Sequence, residues 1–93
     1  MSTDNAQWSV YMVRCGDGSL YTGIAKDVAK RFAAHQAQGP KCAKYLKGRE
    51  PLRLVYQERV GDKSAALKRE YAIKQLPKHT KEQLLTQRHL VPG

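Results

Sequence analysis

The feature that most constrains the fold is a glycine-rich turn between two strand-like runs near the N-terminus. The turn reads CGDGS, and the flanking runs are Trp8–Arg14 and Leu20–Ile24. Runs of this composition around a short loop are typical of paired strands. Apolar residues occupy both parities of the first run, so we expect that strand to be covered on both faces. The segment therefore predicts an antiparallel hairpin.

The length of the hairpin loop decides whether Tyr11 and Tyr21 can act together. A two-residue turn would place them on opposite faces of the sheet, because side chains alternate along a strand. A three-residue loop over Gly16–Gly18, with its last glycine left-handed, would pair Cys15 with Ser19 and put both tyrosines on one face, one diagonal step apart. A bulge would change this parity.

The next segment, KDVAKRFAAHQAQGP, predicts a complete helix. Asp27 is a suitable N-cap, Gly39 is suited to close the C-terminus, and a proline follows that cannot continue the helix. Val28 and Phe32 lie one turn apart and are expected to face the core.

Two polar residues of this helix share one side. Arg31 and His35 are four residues apart and therefore stack one above the other. Their side of the helix lies next to the apolar stripe.

The second half of the chain predicts one more strand and two more helices. The strand is PLRLVYQERV, the first helix is GDKSAALKREYAIKQL with Asp62 as its cap, and Thr80 is a candidate cap for a short last helix.

A carboxylate interrupts the apolar stripe of that first helix. Glu70 lies between Leu67 and Ile73, with Ala66 on the same stripe. An unpaired buried carboxylate would cost several kcal/mol, so Glu70 should meet a cation, a metal ion or water in a cleft. The alternative is a residue at the edge of the stripe that is paired with Lys74.

Length and composition bound the domain organisation. The 93 residues fit one domain, expected over residues 7–88, with a flexible N-terminal tail over residues 1–6 and a C-terminal tail over residues 89–93. No apolar run approaches a membrane span, and the polar start MSTDNAQ resembles no targeting peptide. Cys15 and Cys42 lack metal-ligand spacing, which favours reduced thiols and a cytoplasmic location.

The charge balance indicates a polyanionic partner. Seventeen Lys and Arg against eight Asp and Glu give a formal charge of +9. Such a domain attracts nucleic acid, but the charge alone does not separate DNA from RNA, or binding from cleavage.

An ordered set of motifs resembles the GIY-YIG nuclease family. The set comprises Ser9–Tyr11, Tyr21–Gly23, Arg31, His35 and Glu70. The segments GIAKDVAKRFAAH and ALKREYAIKQLP resemble the motif-to-helix segment and the glutamate helix of the family. The resemblance runs from Trp8 to about Leu85 and is closest to small bacterial proteins that consist of this domain alone.

The resemblance implies a fold and a reaction. The fold is α+β, a three-stranded antiparallel sheet flanked by helices. The reaction is metal-dependent hydrolysis of a phosphodiester, with Mg²⁺ (or Mn²⁺) held by one carboxylate and otherwise by water and phosphate. Glu70 matches the metal-ligand position.

The resemblance also implies roles for the remaining motif residues. One of Tyr11 and Tyr21 would be the general base or would orient the attacking water, and Arg31 would contact the scissile phosphate. His35 would assist proton transfer or hold a phosphate. Gly23 would allow backbone and substrate to approach closely.

Both tyrosine motifs depart from the family pattern beside their tyrosines, and two further departures weaken the case for catalysis. Ile24 stands where several members carry a lysine, which Lys26 would have to replace, and Thr80 stands where many carry an asparagine. These departures keep a second interpretation open, namely a non-catalytic nucleic-acid-binding module on the same fold.

A basic run beside the proposed site predicts phosphate contacts. It comprises Lys41, Lys44, Lys47, Arg49 and Arg53. Phosphate contacts confer affinity without reading sequence. The expected partner is DNA, branched, nicked or damaged, with RNA not excluded. Target choice would come from the shape of the substrate or from a protein partner, in a DNA repair or recombination setting.

Overall fold

The computed structural model describes residues 7–90, with side chains up to Thr86. Three strands and three α-helices form an α+β domain, as predicted. They are β1 (Trp8–Arg14), β2 (Leu20–Ala25), α1 (Val28–Gln36), a 3₁₀ helix (Lys44–Leu46), β3 (Arg53–Gly61), α2 (Lys63–Lys74) and α3 (Lys78–Leu90).

The sheet is antiparallel throughout, with β1 in the centre between β2 and β3. The predicted N-terminal tail lies outside the described residues, whereas α3 continues to Leu90, two residues into the predicted C-terminal tail. No helix within residues 7–90 is long and apolar enough to span a bilayer.

The hairpin uses the longer of the two predicted loops. The Cys15 N–H donates to the Ser19 carbonyl at 2.9 Å, and Gly18 is left-handed with φ +88°. Tyr11 is therefore opposite Gly23. Both register shifts of β1 lie on its β3 side, so they leave the β1–β2 parity intact.

Each face of β1 contributes to a separate apolar cluster, as its composition predicts. The α1 face carries Tyr11 and Val13, which pack with Val28 of α1 and Leu46 of the 3₁₀ helix. The α2 face carries a second set, packed against α2 and α3, comprising Val10, Met12, Tyr56, Ile73, Leu84 and Leu85. Helices α1 and α2 therefore cover opposite faces of the sheet.

The two predicted N-caps are confirmed, but the end of α1 differs from prediction. Asp27 accepts from the Lys30 N–H at 3.1 Å, and Asp62 accepts from the Ala65 N–H at 2.8 Å. The left-handed residue after α1 is Gln38, with φ +58°, rather than Gly39.

Hydrogen bonds of its side chain offset the strain at Gln38. Its amide donates to the carbonyls of His35 at 3.0 Å and Leu46 at 3.2 Å, and its oxygen accepts from the Gly48 N–H at 2.8 Å. Gln38 thereby ties the end of α1 to the 3₁₀ helix.

Two further sequence predictions are wrong in the second half. Leu67 is 46% exposed, because the stripe of α2 that faces the sheet runs through Ala66 and Ile73, one position further round the helix. Thr80 does not cap α3, which begins at Lys78 after Pro77, and its N–H donates to the Pro77 carbonyl.

Candidate active site

A cluster of three rings lies on the α1 face. The Tyr11 and Tyr21 ring centroids are 6.3 Å apart, and the His35 ring lies 6.0 Å from Tyr11 and 5.7 Å from Tyr21. Because Tyr21 pairs with Val13 and Gly23 with Tyr11, the strand register places both tyrosines on this face. The juxtaposition predicted from the longer loop is confirmed.

His35 links α1 to Tyr11 and is completely buried. The Ala43 N–H lies 3.2 Å from Nδ1, and a backbone N–H can only donate. Nδ1 is therefore the acceptor, and the proton of the neutral ring lies on Nε2. Nε2–H then donates to the Tyr11 hydroxyl oxygen, 2.8 Å away. The hydroxyl proton of Tyr11 is left to point elsewhere in the cluster.

The electrostatic environment keeps His35 neutral. Burial, and to a smaller extent the charge of Arg31, lower the pKa of His35. The ring has no solvent exposure, so a phosphate cannot reach it without displacing its neighbours. The geometry shows a ring that orients the Tyr11 hydroxyl, and both roles suggested for His35, proton transfer and phosphate binding, remain predictions.

Tyr11 is held as a neutral phenol. Burial is the main reason that its pKa is raised, and the neighbouring Tyr21 adds to the effect. The charge of Arg31 and its hydrogen bond act in the opposite direction without reversing it. The Tyr11 hydroxyl is therefore suited to donate a hydrogen bond that orients a neighbouring group, and poorly suited to act as a base at neutral pH.

Gly23 makes room for Tyr11. A Cβ atom at this position would lie 2.7 Å from the Tyr11 hydroxyl oxygen and 2.9 Å from its Cζ. The close approach predicted for Gly23 is thus made by an aromatic ring of the protein itself. Close approach of a substrate remains a prediction.

Arg31 is half-buried beside the ring cluster. Its Nη1 donates to the Lys41 carbonyl at 2.7 Å. This bond orients the guanidinium, whose fork carries further donors that can engage a phosphate. The predicted contact with the scissile phosphate remains a prediction.

Glu70 lies in α2, the helix on the other face of the sheet. Its side chain is 18% exposed, and its carboxylate forms an ion pair with Lys74 at 3.2 Å. Of the two interpretations of this residue, the pairing with Lys74 is the one observed. The structure brings the other four motif residues, Tyr11, Tyr21, Arg31 and His35, together on the α1 face.

The arrangement of the acidic side chains limits the number of protein ligands available to the predicted metal ion. Residues 7–90 contain no group of three or more His, Cys, Asp or Glu side chains that could hold a metal ion. A site built on Glu70 would therefore have one protein carboxylate and take its other ligands from water and phosphate. That donor set fits Mg²⁺, which retains much of its water and binds through one or two carboxylates.

The side chains of the basic run that was predicted to contact phosphate fall into two groups. Lys41, Lys44, Lys47 and Arg53 are exposed. Arg49 is instead held by Asp17, 2.6 Å from its Nη1.

Lys26 lies near one wall of a groove. Its Nζ is 5.7 Å from the centroid of the Trp8 ring, and the groove, of about 420 Å³, is also lined by Arg31 and Lys41. Ile24 contributes to the same lining and packs against the α2-face cluster. A larger groove of about 640 Å³ between β3 and α3 contains none of the predicted site residues.

Sequence reasoning missed one aromatic residue of the site. The Tyr45 ring lies 5.9 Å from Tyr21 and is 42% exposed. The signal available was a single tyrosine in the basic segment KCAKYLKGRE.

Comparison with known proteins places the chain in a family. The GIY-YIG catalytic domain matches residues 7–83. The chain belongs to the GIY-YIG family. The family is one of nucleases.

Similar proteins carry the label UPF0213. A UPF0213 protein of Cronobacter sakazakii is 52% identical over 79 residues, which is 85% of this chain and 81% of the relative. A UPF0213 protein of Desulfotalea psychrophila is 48% identical over 83 residues, 89% of this chain and 74% of the relative.

Solved structures of similar proteins support the GIY-YIG-like fold. The solution structure of a UPF0213 protein from Bacillus halodurans is 41% identical with a TM-score of 0.55, covering 86% of this chain and 83% of that one. That of a protein from E. faecalis is 32% identical with a TM-score of 0.63, covering 100% of this chain and 96% of that one.

Proposed function

We propose that this GIY-YIG protein is a Mg²⁺-dependent endonuclease that hydrolyses phosphodiester bonds in DNA. The observation that carries the proposal is the buried hydrogen bond between Tyr11 and His35, which lies beside Tyr21 and Arg31. A tyrosine whose oxygen is oriented by a buried histidine, next to a half-exposed tyrosine and an arginine, can position water and stabilise charge at phosphorus.

In this proposal the two tyrosines have different roles. Tyr11 is 1% exposed, has a raised pKa and accepts a hydrogen bond from His35, so it serves as a neutral hydrogen-bond donor that orients a neighbouring group. Tyr21 is only partly buried and can face the substrate. We assign to Tyr21 the contact with the attacking water, as base or as orienting group.

Arg31 and Glu70 would complete the charge stabilisation. Arg31 would donate to non-bridging phosphate oxygens, on which negative charge grows as water attacks. Glu70 would hold Mg²⁺ after exchanging Lys74 for the ion. When bound, the ion supplies Lewis-acid stabilisation of the phosphoryl and leaving oxygens.

The basic surface supports a nucleic-acid substrate, which we propose to be DNA. Lys41, Lys44 and Lys47 are exposed around the segment that carries Tyr45 and would bind phosphates along the strand. These contacts read charge and shape, which favours selection of branched, nicked or damaged DNA over a base sequence. A role in repair or recombination, a cytoplasmic location and a protein partner that supplies target choice belong to the same proposal, and RNA remains an alternative substrate for the test.

The test is cleavage of labelled DNA with and without Mg²⁺ or Mn²⁺. The panel contains single strands, duplexes, nicked duplexes, flaps and junctions, together with RNA, at low salt. We expect metal-dependent products that Glu70→Ala and Tyr21→Phe reduce by at least about a hundredfold, in the range that removal of one charge-stabilising group costs. Tyr71→Phe is the matched control, because Tyr71 is 67% exposed on α2. Wild-type rates in Glu70→Ala would refute the assignment.

One observation favours a second candidate, a binding module without catalysis. Glu70 is already neutralised by Lys74, so the protein is electrostatically satisfied without an ion. Such a module would bind DNA equally well in EDTA, with an affinity that falls steeply with salt, and Glu70→Ala would leave that binding unchanged.

A further inference from the structure

The ring cluster continues outward to the surface through Tyr45 and Arg49. The Tyr45 ring lies 5.9 Å from Tyr21 at an interplanar angle of 30°, and the Arg49 guanidinium lies 4.4 Å from the Tyr45 centroid. His35 lies 5.7 Å behind Tyr21 in an edge-to-face contact with an interplanar angle of 73°, so four planar groups form a continuous chain of contacts from the core to solvent. We call Tyr45 and Arg49 the outer stack.

The outer stack is held in place by the hairpin loop. Asp17 accepts from Arg49 Nη1 at 2.6 Å through Oδ2, while its Oδ1 accepts from Ser19 N–H and hydroxyl at 3.0 and 2.6 Å. The Gly16 N–H donates to the Arg49 carbonyl at 2.7 Å. The guanidinium is therefore oriented before any ligand arrives, which lowers the entropic cost of binding.

A purely structural role does not explain the exposure of Tyr45. Leu46 is fully buried and anchors the 3₁₀ helix to the core, whereas Tyr45 is 42% exposed. The Tyr45 hydroxyl has no hydrogen-bond partner among the described residues. Simple attraction to phosphate does not explain Arg49 either, because its ion pair with Asp17 weakens that attraction. The same ion pair fixes the orientation of the guanidinium plane.

We infer that the outer stack binds an unpaired nucleobase of the substrate strand. The inference rests on the proposed function and narrows its substrate class. Aromatic rings and guanidinium planes bind bases by stacking, and every base offers a π-face. A base within a duplex is already stacked on both sides, so the ligand is a single-stranded or displaced nucleotide next to the scissile phosphate. Lys44 and Lys47, exposed on the same segment, hold its phosphates.

The experiment separates base stacking from charge by comparing two strands. Binding of a labelled single-stranded oligonucleotide and of an abasic strand with the same number of phosphates is measured by fluorescence anisotropy in EDTA. We expect the wild-type protein to prefer the strand with bases by about tenfold, as a stacked base implies. Tyr45→Leu should abolish the preference, and Tyr45→Phe should retain it.

Two further variants act as controls. Arg49→Lys keeps the positive charge and loses the planar guanidinium. It should therefore reduce the preference for the strand with bases and leave the salt dependence of binding unchanged. Tyr71→Leu removes another exposed tyrosine and should change nothing. Thermal unfolding checks that each variant is folded; if Tyr45→Leu is unfolded, the comparison of wild type with Arg49→Lys decides.

The inference and the proposed function fail independently. Equal affinity of the wild type for both strands, or a preference that survives in Tyr45→Leu, overturns the outer stack as a base site, even if the protein cuts DNA. A Tyr45-dependent preference without any cleavage supports the base site and overturns the nuclease.

Discussion

Substitution of Gly23 by alanine tests the packing on which the candidate site depends. The new Cβ would lie 2.7 Å from the Tyr11 hydroxyl oxygen and 2.9 Å from Cζ, so one of the two must move. Tyr11 is 1% exposed and bonded to His35, which leaves little room to yield. We expect the ring to shift away from His35.

The magnitude follows from three contributions. Overpacking of a buried site costs about 1–3 kcal/mol, and a lost Tyr11–His35 hydrogen bond costs about 1 kcal/mol. The reduced freedom of the unfolded chain offsets about 0.4–1 kcal/mol. The net loss is about 2 kcal/mol, and for a domain of this size the Tm should fall by about 10 °C.

The assay is thermal unfolding followed by circular dichroism, with Gly39→Ala as the matched control. A Cβ at Gly39 meets nothing within 4 Å, so this variant should be as stable as wild type or slightly more stable. Tyr11→Phe removes the nearest clashing atom and should recover part of the loss when combined with Gly23→Ala. If Gly23→Ala unfolds at the wild-type temperature, the described contact between Gly23 and Tyr11 is wrong.

Three further predictions follow from the ion pairs and pKa shifts. Arg14 bonds to both carboxylate oxygens of Glu82, at 2.6 and 2.7 Å, and lowers the pKa of Glu82. The pair therefore adds stability at neutral pH that is lost as the pH falls below about 4.3; in acid titrations of stability Glu82→Gln should show a weaker loss, and an unchanged profile would contradict the linkage. Lys74→Ala frees the Glu70 carboxylate from a half-exposed partner, so the affinity for Mg²⁺ measured by calorimetry should rise about twofold; an affinity that falls would show that Lys74 does not compete with the ion. Burial raises the pKa of Tyr11, so the stability of the fold should decline as the pH rises beyond about 10. In an ultraviolet titration, Tyr11→Phe should lack the phenol that ionises latest in the wild type. If that late ionisation is unaltered, it belongs to another tyrosine.

Several elements could be predicted because their causes are local. Asp27 and Asp62 cap their helices through N–H groups three residues away. The glycine loop admits only two registers, and the longer one places Tyr11 and Tyr21 on one face. Short-range geometry of this kind is encoded within a few consecutive residues and needs no knowledge of the rest of the fold.

Other features depend on residues distant in the chain. Gln38 adopts a left-handed conformation because Leu46 and Gly48 bond to its side chain. Leu67 is exposed because α2 presents the neighbouring position to the sheet. The periodicity of the sequence locates the apolar stripe of a helix to within one position. The angle at which the helix packs on the sheet then decides which residues of that stripe are buried.

The amino-acid sequence by itself determined the family, the order of the elements and the two loop lengths between which the hairpin had to choose. Only the tertiary structure decided that His35 is buried with its proton on Nε2, that Glu70 is neutralised by Lys74, and that Tyr45 extends the ring cluster to the surface. The physical reason is that protonation, ion pairing and stacking depend on which groups lie within a few ångströms, and those neighbours come from segments that only folding brings together.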